Sequence, residues 1–154
     1  MRMGEFQLEI DAPAEIVFGI VGDSARISEW MDEVEETQHL YSPGQPVGTT
    51  FRQVIRHRGG RKEYTGIVRT YEAPTHLALE LDVDHFTMAI SYRIRALQEG
   101  CVLTFTCDCI TTNPLVKLVF YLFRGSAAGM SLDALKKLKA LAEAEAQGAA
   151  PAPG

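Results

Sequence analysis

Phe6, Leu8 and Ile10 alternate with Glu5, Gln7 and Glu9, the period of a half-buried strand. Asp11 then offers an N-cap, Pro13 suits an early helical position and Glu15 falls in the first turn. A short helix burying Ile16, Val17 and Ile20 is therefore expected. Gly22-Asp23-Ser24 breaks it, and Asp23 or Ser24 can cap a second short helix through Ile27 and Trp30. From residue 33 to 112 the period is 2 and turn signals recur, which predicts a meander of antiparallel strands. After Thr112-Asn113-Pro114 the period becomes helical. An apolar run from Leu115 to Phe123 leads into a narrower stripe of Leu132, Leu135, Leu138 and Ala142 among lysines. Gly125 and Gly129 weaken the middle of this helix by about 1 kcal/mol each relative to alanine. From residue 114 to about 145 it would extend roughly 45 Å, enough to cross a sheet.

The turn signals fix which residues share a face. A two-residue turn at Gly59-Gly60 sets Phe51 against Val68, Gln53 against Gly66, Ile55 against Tyr64 and Arg56 against Glu63. A turn at Asp84-His85 sets Val83 against Phe86, Leu81 against Met88, Leu79 against Ile90 and Leu77 against Tyr92. A turn at Gln98-Glu99, with Gly100 beside it, sets Ile94 against Leu103, Tyr92 against Phe105 and Ile90 against Cys107. The three hairpins agree on one inner face. Its first part holds Phe51, Gln53, Ile55, His57, Tyr64, Gly66, Val68 and Thr70. Its second part holds Leu77, Leu79, Leu81, Phe86, Met88, Ile90, Tyr92, Ile94, Leu103, Phe105, Cys107 and Cys109, and neither part contains a formal charge. A slip of one residue in any hairpin would destroy that agreement.

Composition changes this picture little. The chain has 154 residues, 46% hydrophobic and 23% charged, which fits one folded domain. A formal net charge of -5 argues against a nucleic-acid partner, whose binding needs a large basic face. Cys101, Cys107 and Cys109 are an odd number in one segment, so reduced thiols and a cytoplasmic location are expected. The start, Met1 to Glu5, lacks the apolar run of a signal peptide. The run from Leu115 to Phe123 is about half the length that spans a bilayer, and no transmembrane segment is expected.

The order of elements, together with three motifs, resembles the START-like (SRPBCC) superfamily, specifically its polyketide cyclase/dehydrase and lipid transport proteins. Ile10-Asp11-Ala12-Pro13-Ala14-Glu15-Ile16-Val17-Phe18 is similar to that family's I-x-A-P-x-E-x-V-F/W lead into the first helix. Ser28-Glu29-Trp30-Met31 resembles the x-x-W end of its second short helix. Tyr64-Thr65-Gly66-Ile67-Val68 with Tyr71-Glu72-Ala73-Pro74 resembles its G-x-V-x-x-Y-x-P-P strand and turn, Ala73 replacing the first proline. The resemblance covers about residues 3 to 145. It implies an α+β helix-grip fold: a curved antiparallel β-sheet wrapped around a long C-terminal helix, with two short helices after the first strand. Residues 1–145 would form the ligand-binding domain and 146–154 a flexible tail rich in Ala, Gly and Pro.

An uncharged inner face suits an apolar guest held by a few polar groups. The expected ligand contacts on the sheet are Phe51, Gln53, Tyr64, Thr70, Leu79, Leu81, Phe86, Met88, Ile90, Tyr92, Phe105 and Cys107. Trp30 is either a cavity-mouth residue or an anchor for the short helices, and Phe120, Phe123 and Met130 are the contacts expected from the long helix. Gly66 opposite Gln53 would leave space there. The apolar run from Leu115 is expected to be buried on two sides, by the sheet and the short helices. The alternatives for it are a portal, a membrane-touching surface or a homodimer contact.

Cys107-x-Cys109 lacks further metal ligands nearby and reads as two buried thiols, so no metal and no cofactor are expected. The basic stripe of Arg56, Arg58, Arg61 and Lys62 reads as a solvated outer face. No phosphate loop or nucleophile elbow is present. The function these features support is binding or carriage of a hydrophobic small molecule (lipid, quinone or polyketide-like) in an apolar cavity between sheet and C-terminal helix. One alternative is a cyclase or dehydratase acting by positioning, with His57, Tyr64 or Tyr92 as its acid-base groups. The other is a protein-interaction module like the superfamily's chaperone-activating members.

Overall fold

In the computed structural model, residues 2–57 and 60–149 are described, and side chains at 57, 123–130 and 149 are not. The alternating opening segment forms β1 (Arg2–Ile10). The chain then turns inward at Ala12, which is buried, and α1 (Ala14–Val21) starts after an extended Pro13. The Pro13 carbonyl accepts from the N–H groups of both Ile16 and Val17, at 3.1 and 3.2 Å, so Pro13 and not Asp11 is the N-cap. This rotates the buried stripe of α1 onto Ala14, Val17, Phe18, Ile20 and Val21 and leaves Ile16 half-buried. A short 3₁₀ helix (Ser24–Glu29) follows, with the Asp23 carboxylate accepting from the Ala25 N–H at 3.0 Å.

Six further strands complete the sheet: β2 (Val34–Tyr41), β3 (Thr50–His57), β4 (Gly60–Glu72), β5 (His76–Val83), β6 (Phe86–Ala96) and β7 (Cys101–Ile110). Their spatial order is β1-β7-β6-β5-β4-β3-β2, antiparallel throughout, so the first strand closes against the last and β2 forms the far edge. The connection from β1 to β2 must therefore traverse the sheet, and α1 and the 3₁₀ helix make that crossing on the concave side.

The β5–β6 and β6–β7 hairpins carry the registers their turns predict, Leu79 against Ile90 and Tyr92 against Phe105 among them. Asp84 and Gly100 take the positive φ values, 50° and 78°, that these tight turns require. The β3–β4 hairpin differs. Its turn lies one residue earlier, His57 pairing with Gly60, and Gly59 falls outside the described residues. Phe51 consequently opposes Gly66, Gln53 opposes Tyr64 and Ile55 opposes Lys62. A slip of two residues leaves every side chain on its expected face. It does separate Arg56 from Glu63: Arg56 and Arg61 share Glu35, at 2.7 and 2.8 Å, and Glu63 meets Arg52 at 3.1 Å.

A second departure is a register shift in β4 between Val68 and Thr70. Such an extra residue reverses the alternation beyond it. Thr70 thus pairs with Ala78 and turns to the outer face, and Tyr71, opposite Leu77, takes the inner position assigned from periodicity to Thr70.

The last helix, α2, spans Pro114–Ala149, with the Asn113 side-chain Oδ1 accepting from the Leu115 N–H at 2.9 Å. It continues past the expected end at residue 145 because Ala144-Glu145-Ala146-Gln147 are all good helix formers. Residues 150–154 of the expected tail lie outside the described residues. The C-terminal half of α2 carries Leu135, Leu138 and Ala142 into the core, packed on β1 and α1, and Lys137 and Arg26 make ion pairs to Asp32 and Glu145. The N-terminal half behaves otherwise. Leu115, Leu118, Val119, Tyr121 and Leu122 are 49–67% exposed, so the expected burial on two sides does not occur. Between Pro114 and Leu122 only Val116 and Phe120 are half-buried, Phe120 packing edge-on against Phe86 with ring centroids 4.4 Å apart. No helix among the described residues is long and apolar enough to cross a membrane.

Candidate functional site

A cavity of about 470 Å³ opens where the concave faces of β2–β5 meet the α1–3₁₀ junction and the β2–β3 loop. Val21, Ile27, Phe51, Val68, Leu77 and Leu79 supply its apolar walls, and Pro46 reaches over it from the loop. Thr37, His39, Thr49, Gln53, Ser24 and Tyr71 supply polar atoms, and none of its lining residues is Asp, Glu, Lys or Arg. The site thus keeps the uncharged character read from the sheet. Its position differs from the expectation: among the described residues, α2 contributes no side chain to it, because the helix clasps β1 and α1 instead.

Local structure explains each wall. The shift in β4 points Tyr71 inward, where its ring meets Phe18 edge-on at 5.1 Å. Gly66 leaves no void beside Gln53; the Phe51 ring lies over the glycine, with Phe51 Cζ only 2.5 Å from where a Cβ would stand. The loop from Ser42 to Thr49 turns at Gly44 and Gly48, both near φ +90°, and the Gly48 N–H donates to the Val68 carbonyl at 2.9 Å. Across the mouth, Ser24 Oγ and His39 Nε2 are hydrogen-bonded at 2.9 Å.

Of the expected contacts, Phe51, Gln53 and Leu79 line this cavity. Tyr64 and Leu81 form a small buried cluster beneath Phe51, with Met88 packed on it. Tyr92, Phe105 and Cys107 lie in the main core and Ile90 packs against it. Trp30 does not line this cavity; it is 1% exposed and meets Tyr92 edge-on at 6.1 Å. Phe86 and Phe120 face each other, and Thr70 is on the outer face. The side chains of His57, Phe123 and Met130 lie outside the described residues.

Periodicity missed Thr37 and His39, although their alternation on β2 was legible: they stand directly across from Gln53 and Phe51. It also missed Ser24, Tyr71 and the loop residues, which reach the site through tertiary crossings. Among the described residues, no group of three His, Cys, Asp or Glu side chains is placed to hold a metal ion.

The sequence model described as polyketide cyclase/dehydrase and lipid transport matches residues 3–143. The chain belongs to that family. No curated protein matches it. Among solved structures, the di-domain aromatase/cyclase StfQ of the steffimycin biosynthetic pathway is similar at a TM-score of 0.77 and 12% identity. The alignment covers 94% of this chain and 52% of StfQ, so this chain spans about half of that protein. The Zhui aromatase/cyclase from Streptomyces sp. R1128 is similar at a TM-score of 0.71 and 16% identity, covering 91% and 92% of the two chains. A Rhodobacter sphaeroides protein matches at 0.71 and 19%, covering 91% of each. At these identities the likeness is one of fold, the helix-grip arrangement of curved sheet and terminal helix.

In this polyketide cyclase/dehydrase and lipid transport family member, burial favours the neutral forms of two inner tyrosines and the three cysteines. It holds the Tyr64 and Tyr92 hydroxyls above their ordinary range, and it pushes the Cys107 thiol up to about 12, with the Asp108 charge adding to the effect. Cys101 and Cys109 are raised by burial as well. A thiol reacts as its thiolate. A shift of this size leaves Cys107 on the order of a thousandfold less thiolate at a given pH. Iodoacetamide at pH 8 is therefore expected to spare all three cysteines in the folded chain and alkylate them in urea. Rapid modification of native Cys107 would contradict its burial.

Proposed function

We propose that this chain binds a hydrophobic small molecule, lipid-, quinone- or polyketide-like, in the cavity bounded by β2–β5, the 3₁₀ helix and the β2–β3 loop. The observation that carries this reading is a concave site of about 470 Å³ with apolar walls and no formal charge in its lining. That volume lies within the usual range for small-molecule sites. Family membership supports the same reading. Native mass spectrometry of the purified chain is the direct test: a co-purifying lipophile is expected, and Leu79→Trp, which fills the apolar wall, should abolish its retention while the chain stays folded. A protein that carries no lipophile and takes up none from a mixed lipid and quinone extract would sink the proposal.

A second reading, a cyclase that positions its substrate, draws support from one pair. Ser24 and His39 are hydrogen-bonded on the cavity wall, where an imidazole could transfer a proton to or from a bound ketone. In that reading His39 replaces His57 as the acid-base candidate.

A further inference from the structure

Resting on the ligand-binding reading above, the polar groups of the cavity narrow the class of ligand. Several are already committed to one another. Ser24 Oγ is bonded to His39 Nε2, and Thr49 Oγ1 donates to the Gln45 carbonyl at 3.2 Å. Thr37 and Gln53 stand apart from these pairs. They are direct cross-strand partners of β2 and β3, so their side chains emerge side by side on the concave face. Thr37 Oγ1 is buried and meets no hydrogen-bond partner among the described residues. Gln53 is 7% exposed and brings a carbonyl acceptor and two N–H donors to the same spot. Val68, Leu77 and Leu79 form the apolar side of the same cavity.

We infer that Thr37 and Gln53 form a hydrogen-bonding clamp selecting a neutral oxygenated edge, a hydroxyl or a ketone carbonyl, on an otherwise apolar ligand. A hydroxyl or carbonyl can complete the unmet Thr37 group and share the Gln53 amide. A carboxylate cannot be received on the same terms. The lining holds no Lys or Arg, so an ionised ligand would lose its hydration with no permanent positive charge to replace it. A ligand with no polar atom would leave Thr37 unmet. The clamp thus discriminates against both extremes.

Three probes of one ring skeleton separate these cases: naphthalene, 2-naphthol and 2-naphthoate, titrated into the full chain near neutral pH by calorimetry. The neutral alcohol is expected to bind about tenfold more tightly than either of the others. Thr37→Val keeps the shape of the side chain. It should cost 2-naphthol about fivefold while binding naphthalene at least as tightly as before, since no hydroxyl is then left unmet. Equal affinity for 2-naphthol and 2-naphthoate would overturn the clamp, as would a Thr37→Val loss shared equally by all three probes. In both cases ligand binding itself stands. If none of the three binds while a lipophile still co-purifies with the chain, the clamp falls and ligand binding stands; if no lipophile is retained either, both fall.

Discussion

Leu138→Ala is expected to lower the unfolding free energy by about 3 kcal/mol, a loss of roughly 10 °C in melting temperature for a chain of this size. Leu138 is fully buried, on the half of α2 packed against β1 and α1. Truncation removes the transfer energy of its side chain and opens a cavity that the rigid sheet cannot close. Leu122→Ala on the same helix provides the contrast. Leu122 is 66% exposed, so its loss should change stability by less than about 0.5 kcal/mol. Urea unfolding followed by circular dichroism measures both, and a shifted midpoint at constant m-value identifies a change in stability alone. Equal losses at the two positions would mean that the N-terminal half of α2 is covered in solution.

Gly66→Ala should destabilise by about 2 kcal/mol even though glycine-to-alanine changes in extended segments stiffen the unfolded chain, a gain of up to about 1 kcal/mol. The added Cβ would stand 2.5 Å from Phe51 Cζ and 2.8 Å from the Glu80 carbonyl oxygen. The ring can swing away; the backbone of β5 cannot. Displaced, Phe51 moves into the cavity it lines, so ligand affinity should fall with stability. Adding Phe51→Leu should recover part of the stability and leave the portion due to Glu80. Full recovery would show that the backbone contact is relieved at no cost.

The N-terminal half of α2 shows where reading by pattern stops. Its apolar run from Leu115 is visible in the sequence, and so is its helical period. Whether that run is buried depends on where the helix crosses the sheet, which no local spacing encodes. The same holds for the bulge in β4. Thr70 and Tyr71 are equally compatible with a strand, and only the pairing of β4 with β5 decides which of them faces inward. The turn of the β3–β4 hairpin lies one residue from its expected place, yet every face survives because the side-chain period is 2.

By itself the sequence determined the faces: alternating apolar residues and tight turns assign an uncharged inner surface from Phe51 to Cys109, because exposing that surface to water would cost more than any local preference could recover. It also determined the family, through the lead into α1 and the Gly66 strand. The tertiary structure alone decided where along that surface a hollow remains. A hollow arises from elements that cross without filling the space between them, here α2 clasping β1 and α1 while the 3₁₀ helix and the β2–β3 loop arch over β2–β5 and touch them at Ser24–His39 and Gly48–Val68. Periodicity encodes direction; the separation between layers is set by packing among residues distant in sequence.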